Sequence, residues 1–470
     1  MKRNLTKRMT CLATAAVMAT SMFSASALGV SASEDKDVVT MLLPPVSDTY
    51  QDMIYEWEAA FEAENPDIDI EITTASWEDI DQKLNTQVNA GSPPDIAFVG
   101  YDDVSTYVDL GMALDLSQYL DSDTLADFDE TILSYFQVED GIYGLPAYCE
   151  VQCIGGNQEM LEAAGIDWQS IQENGWTYDE FREAIAAGVI TDGDEVTTYG
   201  FVFACSGVTA ADYFNIFVNN AGMPSAFDED LKYTYTSSMM LDFLEDIRAL
   251  IDDGSMPSSL NSVDAGMRWN MFLTGQTMIT GKGLSSFERS AANNNALIEA
   301  GEGEEVEGSI EVNYIVLPVP VFENGTQNAY AAVDGYICLT GETDPDADHV
   351  ANVAKVAYYF ASGERAALTT QELYLTPVCE TGTAAYEELD PIENKNEYNT
   401  AAVQNLTAQV AAARPDIPAS LSAQATTILD EVIVPKFQSL LAGETTAQEM
   451  YDAIVEAAYD AFGEDGCVTD

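Results

Sequence analysis

The spacing of apolar and polar residues predicts a sheet-forming region at the start of the chain. The predicted order is a strand at VVTMLLPP, a helix at DTYQDMIYEWEAAFEAENP, a strand at DIDIEIT, a helix at WEDIDQKLNTQVNAG and a strand at IAFV. The last strand is apolar throughout, which is typical of a central strand covered by helices on both faces. This β-α-β-α-β order with short loops predicts a parallel α/β sheet.

Beyond Trp168 the periodicity changes to that of helices, and strands return only later. Apolar stripes predict helices at TYDEFREAIAAG, ADYFNIFVNNAG and SSMMLDFLEDIRALIDDG. Strand patterns return at EVNYIVLPVPV and AYAAVDGYICLT, and the predicted final helices are HVANVAKVAYYFASG, LTAQVAAA, SLSAQATTILDEVIVPKFQSLLAG and TTAQEMYDAIVEAAYDAF. Such a chain predicts two lobes joined by more than one crossing, with a cleft between them and hinge closure as the natural motion.

The first 32 residues have the pattern of a secretory signal peptide. Lys2, Arg3, Lys7 and Arg8 precede a mostly apolar stretch, and VSA at 30–32 offers a small-residue cleavage site. A transmembrane anchor is the alternative, but Thr and Ser interrupt the stretch and it falls short of the ~20 apolar residues of a span. We therefore expect an exported protein, periplasmic or extracellular, without a lipid anchor.

The charge balance is strongly acidic and excludes several classes of partner. The chain has 80 Asp and Glu against 17 Lys and Arg, and cleavage after residue 32 would take the net charge from −63 to −67 by removing four basic residues. Such a surface repels nucleic-acid phosphates and anionic lipid headgroups. Hydrophobic residues still make up 47% of the chain, so we expect ordinary cores beneath an acidic surface.

The cysteine and histidine content predicts neither a metal site nor a cofactor. Six cysteines remain after cleavage, and an even number in an exported chain permits disulfides, although isolated buried thiols are the expected state for most of them. The chain has one histidine, His349, and no CxxC motif, which argues against zinc.

Several phrases, in order along the chain, resemble the solute-binding proteins of ABC importers, in particular the large sugar-binding family that includes maltose-binding protein. These phrases are FEAENPDIDIEI, KLNTQVNAGSPPDIAFV, LGMALDLSQYL, GIYGLPAYCEVQCIGGNQEMLEAAGID, WTYDEFREA, FLTGQTMITGKG and YLTPVCETG. The resemblance implies a two-lobed periplasmic-binding-protein-like fold of type II, each lobe a sheet flanked by helices. It also implies capture of a carbohydrate, expected to be an oligosaccharide, and its delivery to the permease of an ABC importer.

From the crossings of the chain we expect lobe 1 to comprise residues 38–147 and 335–380, and lobe 2 to comprise residues 148–334 and 381–470. We expect a monomer without catalytic activity. Two alternatives stay open: a secreted glycoside hydrolase, which would also use paired carboxylates, and a binding protein for a solute other than a sugar.

Glu150 leads the candidate site residues. It lies four residues after Pro146 and seven before Asn157, the register at which the resemblance places a cleft glutamate that accepts sugar hydroxyls. A solvated surface acid is the alternative interpretation. Asp102, after the third strand, is a second acceptor by the same resemblance.

Aromatic and further polar residues complete the candidate set. Trp77, Tyr101 and Tyr148 could stack on the apolar faces of sugars, although Trp77 could instead pack as a hydrophobic staple on the next helix. Asp334 lies at the second crossing, where it could contact the solute or belong to a hinge. The remaining candidates are Asp48, Lys282 and Trp269; Lys282 lies in a Gly-Lys-Gly that the acidic surface argues against as a phosphate site, and Trp269 has apolar neighbours that favour the core.

Overall fold

The computed structural model describes residues 36–469 except 48, 78, 207–208, 302–305, 342–344, 393–394 and 412. The proposed signal peptide and the candidate Asp48 therefore lie outside the described residues. Within them the chain forms the following strands: β1 (Asp37–Leu43), β2 (Ile68–Thr74), β3 (Ile96–Gly100), β4 (Gln137–Val138), β5 (Gly141–Ile142), β6 (Gly144–Asn157), β7 (Ile190–Asp192), β8 (Glu195–Val202), β9 (Thr277–Gly283), β10 (Tyr314–Leu317) and β11 (Tyr330–Cys338).

The helices of the described part alternate with these strands at the start of the chain and dominate its end. They are α1 (Tyr50–Glu64), α2 (Ile80–Asn89), α3 (Val104–Asp109), α4 (Ser122–Leu125), α5 (Glu130–Leu133), α6 (Gln158–Ala163), α7 (Trp168–Asn174), α8 (Tyr178–Ala187), α9 (Thr209–Val218), α10 (Ser238–Asp252), α11 (Ala265–Leu273), α12 (Ser286–Ala300), α13 (Ala347–Ala361), α14 (Gly363–Glu372), α15 (Glu380–Tyr386), α16 (Glu397–Thr407), α17 (Ala419–Ile428), α18 (Val434–Leu441) and α19 (Ala447–Phe462).

Nine of the strands form one sheet that passes through both halves of the molecule. Its order is β2-β1-β3-β11-β6-β9-β8-β7, and β10 pairs with the distal part of β6. β1 runs parallel to β2 and to β3, as the sequence predicts, while β11 and β6 are antiparallel to their neighbours in this half. The fourteen-residue β6 pairs with β11 over its first part and with β9 and β10 over its last part, so it joins the two halves.

Each half of the sheet is covered by apolar side chains on both faces. In the first half, Met41 and Phe98 belong to one buried cluster, whereas their neighbours Leu42 and Ala97 belong to another on the opposite face. In the second half, Ile154 and Cys153 divide between two further clusters in the same way. Successive strand residues point to opposite faces, so this division places helices on both sides of each half.

The helical end of the chain contacts both halves. Ala419, at the start of α17, packs against the first-half cluster that contains Leu42 and Ala97. Ile428, at the end of α17, belongs to the second-half cluster that contains Ile154. A π-helical turn, Leu429–Ile433, then leads into α18, with Pro435 in its first turn. Among the described helices, we find none with the length and apolarity needed to cross a bilayer.

His349, near the start of α13, ties that helix to the amino ends of β1 and β3. Its Nδ1 lies 2.8 Å from Asp37 Oδ1 and its Nε2 lies 3.2 Å from Asp95 Oδ1. Burial lowers the pKa of His349, but the hydrogen bonds and negative charges of the two aspartates outweigh that effect and raise it above its ordinary value. The protonated imidazole therefore donates to both carboxylates.

We expect His349→Gln to remove a stabilising contribution that exists only in mildly acidic solution. Because the folded-state pKa of His349 is raised, its contribution is fully present below about pH 6.5 and is lost as the pH rises through the folded pKa. The side chains are partly exposed, so solvent screening limits the contribution to about 1 kcal/mol. Urea unfolding at pH 6 and pH 8.5 checks this: wild type and variant should differ at pH 6 and converge at pH 8.5, and an equal difference at both pH values would refute it.

Candidate functional site

The carboxyl ends of β1, β2 and β3 meet at one edge of the sheet, where Trp77 and Tyr101 lie. In open α/β sheets this edge is where ligands bind. The Trp77 indole donates a hydrogen bond from Nε1 to the carbonyl oxygen of Pro45 at 3.1 Å, and its ring lies 6.1 Å from that of Phe98. Trp77 is 41% exposed. Its contacts are thus with the loop after β1 and with β3, and part of its ring is available to a ligand.

Tyr148, Glu150 and Gln152 project from the same face of β6. The alternating residues Cys149 and Val151 belong to apolar clusters on the other face. All three polar residues are buried, with Glu150 only 8% exposed. The alternative interpretation of Glu150 as a solvated surface acid is therefore wrong, because the residue lies in the interior of the molecule.

Asp334 on β11 lies beside this row of side chains. It is paired in register with Tyr148 on β6 and with Gly100 at the end of β3. The Tyr148 hydroxyl donates to Asp334 Oδ2 at 2.7 Å. The pairing therefore brings Asp334 of β11, Tyr148 of β6 and Gly100 at the end of β3 next to one another.

Gly100 lets two carboxylates approach its backbone closely, and we call the region between these two carboxylates the Gly100 recess. A Cβ atom on Gly100 would lie 2.5 Å from Asp102 Oδ1 and 3.5 Å from Asp334 Oδ1. Asp102 itself lies in the short 3₁₀ turn Tyr101–Asp103 that follows β3 directly. The two carboxylate oxygens therefore lie near each other beside Gly100, and a side chain at residue 100 would collide with Asp102.

The carboxylates around the recess hold their protons more strongly than ordinary acids. Desolvation raises the pKa of Asp102 to about 6, and that of Asp334 to about 6 although the hydrogen bond from Tyr148 acts in the opposite direction. The Asp102 residue as a whole is exposed. Desolvation also raises the pKa of Asp103, and the charge of Asp102 adds to this effect.

The pKa of Glu150 is raised further than the pKa values of Asp102 and Asp334. Burial raises its pKa to about 8, the charge of Lys282 opposes the shift, and the charge of Asp334 adds to it. Its Oε1 atom is buried and has no hydrogen-bond partner in the described structure. A buried acceptor without a donor is costly unless a ligand supplies the donor.

Lys282 reaches this cluster from the end of β9 in the second half of the molecule. Its Nζ donates to Asp212 Oδ2 of α9 at 2.8 Å. Its backbone is left-handed, with φ at 52°. Beneath it, the buried Arg268 donates from Nη1 to the carbonyl oxygen of Gly281 at 2.8 Å, and burial lowers the pKa of Arg268 to about 10. The guanidinium thus supports the strand end that carries Lys282.

Tyrosine rings surround the carboxylates. Tyr101 makes an edge-to-face contact with Tyr135 at 4.7 Å and shares a side-chain hydrogen bond with Tyr330 at the start of β11. Tyr330 is paired in register with Gln152. Trp269, in contrast, packs on Phe272 at 5.4 Å and Phe287 at 4.7 Å, so the structure does not bring its ring into this cluster.

Sequence reasoning missed Tyr330, Asp212 and Arg268. The first could have been found, because Tyr330, Ala332 and Asp334 alternate along β11 while Ala331 and Val333 enter an apolar cluster. Nothing in the local sequence of α9 or α11 marks the other two, which act through contacts with β9.

The described residues offer carboxylate and amide acceptors, an ammonium donor and aromatic faces, but no metal centre. Among the described residues, no group of three or more His, Cys, Asp or Glu side chains could hold a metal ion. A second concavity of about 580 Å³ lies at the opposite edge of the sheet around His349. Of the described residues that line it, none is Phe, Tyr or Trp, so the chemistry for binding an amphipathic solute is concentrated at the recess.

A family sequence model and individual relatives both match this chain to binding proteins. The sequence model of bacterial extracellular solute-binding proteins matches residues 44–366. A binding protein of Brucella abortus is 26% identical over 314 residues, which cover 66% of this chain and 70% of that protein.

Solved structures share the fold at low sequence identity. The GacH receptor of Streptomyces glaucescens, solved unliganded and with acarbose, superposes with a TM-score of 0.68 at 18% identity and covers 92% of this chain and 100% of its own. A substrate-binding protein of Listeria monocytogenes in complex with cycloalternan gives 0.67 at 19% identity, covering 91% and 100%. The MalE domain of Bdellovibrio bacteriovorus bound to maltotriose gives 0.66 at 15%, covering 90% and 99%.

Proposed function

Because this chain belongs to the family of bacterial extracellular solute-binding proteins, we propose that it captures an oligosaccharide between its two lobes and delivers it to an ABC importer. The observation that carries the proposal is the buried Glu150, whose Oε1 has no hydrogen-bond partner in the described structure. Carboxylates accept two hydroxyl hydrogen bonds, and aromatic rings stack on the apolar faces of sugars. The similar structures solved with acarbose, cycloalternan and maltotriose support the same class of solute.

The proposal assigns the binding residues by their positions around the recess. Glu150, Asp102 and Asp334 accept hydroxyls, while Lys282 donates to a sugar oxygen. Trp77, Tyr101 and Tyr148 supply ring faces and walls. For Trp269 we propose a packing role, and Asp48 stays a prediction from the sequence.

The lobe division, export and oligomeric state belong to the same proposal. Lobe 1 comprises residues 38–147 and 335–380, and lobe 2 comprises residues 148–334 and 381–470, with β6 and β11 near the crossings. The four apolar clusters, two in each half of the sheet, support such a division. The protein acts as an exported monomer, freed of residues 1–32, that binds its solute without transforming it.

A thermal-shift screen of the protein from residue 33 onward tests the function. A solute that binds only the folded state raises the melting temperature, by an amount that grows with its concentration relative to Kd. We expect one or more oligosaccharides to raise it, and nitrophenyl glycosides to be left unhydrolysed. A screen in which no saccharide shifts the transition would contradict the proposal, and hydrolysis would replace it with a glycosidase.

A further inference from the structure

Negative charge dominates the space where the first and second halves of the sheet meet. Asp102 and Asp334 flank the Gly100 recess, and Asp103 and Glu150 lie near enough for the charge of Asp334 to raise their pKa values. The basic side chain whose charge reaches Glu150 and Asp334 is Lys282, and its ammonium is already bound to Asp212. Desolvation raises the pKa values of these four acids and the charges of neighbouring acids add to the effect, so a cation beside them would favour their charged forms.

Two buried acceptors on β6 also lack donors. Glu150 Oε1 and Gln152 Oε1 have no hydrogen-bond partner in the described structure, and the two residues are 8% and 5% exposed. Both residues lie on the face of β6 that carries Tyr148, whose hydroxyl is bonded to Asp334. The free acceptors therefore lie on the side of the strand that carries the acids, where N–H or O–H groups of a solute would satisfy them.

An inorganic cation does not fit this arrangement. No group of three or more potential ligands among the described residues is close enough to coordinate a metal ion. A primary ammonium has different needs, because it carries three N–H donors on one atom and binds acceptors that are spread around it. The Gly100 recess, bounded by Asp102 Oδ1 and Asp334 Oδ1, offers two such acceptors to one small group.

We propose that the solute carries an ammonium group, which binds in the Gly100 recess between Asp102 and Asp334, so that the substrate class is an amine-bearing saccharide. The inference rests on the proposed function for the saccharide part and on the charge of the recess for the ammonium part. Glu150, whose charge Lys282 partly balances, accepts hydroxyls of the same solute.

Saccharides that differ only in the amino group measure the contribution of the ammonium to affinity separately from that of the sugar. Calorimetry at pH 7 and low salt would use glucosamine, galactosamine and mannosamine, the β-1,4-linked glucosamine trimer, the N-acetylated form of each, the neutral parent sugars and spermidine. We expect an amine form to bind at least about tenfold more tightly than its N-acetylated and neutral counterparts, equivalent to ~1.4 kcal/mol. The preference should weaken as salt rises from 20 to 200 mM, because ions screen the attraction.

The outcomes distinguish this inference from the proposed function. If neutral sugars bind as well as their amine forms, or better, the inference of an ammonium site is wrong and the proposed saccharide function stands. If spermidine binds and no saccharide does, the ammonium site stands and the proposed saccharide function is wrong. If none of these probes binds while neutral oligosaccharides of the wider screen do, the ammonium is overturned.

Variants connect the preference to the recess. In Asp334→Asn and Asp102→Asn, the ratio of amine to neutral affinity should fall by about tenfold. Glu387→Gln removes the same charge from an exposed residue far along the chain and should leave the ratio unchanged. An equal fall in all three would show a general charge effect and count against the recess.

Proton release provides a readout on the unaltered protein. An ammonium beside Asp102 and Asp334 favours their charged forms, so binding near pH 6 should release protons that calorimetry in two buffers of different ionisation enthalpy detects. The other charged groups that act on these two acids or lie beside them are Asp81, Asp103, Asp212, Asp430, Glu150 and Lys282. Tight amine binding without proton release at pH 6 would place the ammonium elsewhere.

Discussion

Glu150→Gln is expected to weaken saccharide binding by ~1–3 kcal/mol, which is roughly 5- to 150-fold in affinity. Above its raised pKa of about 8 the carboxylate accepts hydrogen bonds with both oxygens. The amide offers one acceptor and one donor, so one sugar hydroxyl loses its partner. Calorimetry at about pH 9 with the best saccharide of the screen measures this directly. Glu387→Gln, a like substitution on an exposed residue, is the matched control and should bind as wild type does.

The same variant should alter how stability depends on pH. The pKa of Glu150 is raised to about 8 in the folded protein, so the proton that it binds stabilises the fold fully below about pH 4.5, and this contribution is lost as the pH rises through 8. Glutamine removes the effect, and at pH 8 the variant should be more stable than wild type by roughly 1–3 kcal/mol. Parallel stability curves for wild type and variant between pH 5 and pH 8 would show that the Glu150 carboxyl is not desolvated.

Gly100→Val should abolish most solute binding while it leaves the fold intact. The new side chain would push the Asp102 carboxylate away from Asp334, since even a Cβ would lie 2.5 Å from Asp102 Oδ1 and 3.5 Å from Asp334 Oδ1. Gly100 has φ at −70°, which a branched residue accepts, and the two crowded oxygens are ends of side chains that can rotate. We expect at least about a tenfold loss of affinity, or ~1.4 kcal/mol.

Gly266→Ala is the matched control for that variant. It lies in α11 and its Cβ would meet only Asp264 Oδ1 at 3.4 Å. Both variants should unfold at urea concentrations close to that of wild type, and only Gly100→Val should lose the solute. A Gly100→Val protein that binds as tightly as wild type would show that the recess is not part of the site.

The first half of the fold could be predicted because its elements are set by local patterns. β1, α1, β2, α2 and β3 follow in the predicted order, and Asn157 caps α6 by accepting a hydrogen bond from the Met160 amide at 3.2 Å. The predicted helix at LTAQVAAA is wrong, since α16 ends at Thr407 and Val410 forms a bridge with Ala329. The structure of this segment depends on its pairing with a residue distant in sequence, and such pairing cannot be predicted from helical periodicity.

The candidate site residues come from the family resemblance and the crossings of the chain, and their part in binding stays a prediction. The structure places Glu150 and Tyr148 on β6 beside Asp334 on β11, so it brings these three candidates near one another. The partner of Lys282 could not be found in the same way, because Asp212 meets it only after α9 packs beside β9. The raised pKa values likewise arise from burial between distant segments, which no local pattern encodes.

Capture of a saccharide between two lobes that close over it is the central claim, and small-angle scattering measures it most directly. The radius of gyration of the protein from residue 33 onward should fall as the best saccharide of the screen is added, with a midpoint that matches the calorimetric Kd. In Gly100→Val the radius should stay at its unliganded value at the same saccharide concentrations. A saturating saccharide that leaves the wild-type scattering curve unchanged would contradict closure and indicate a preformed pocket.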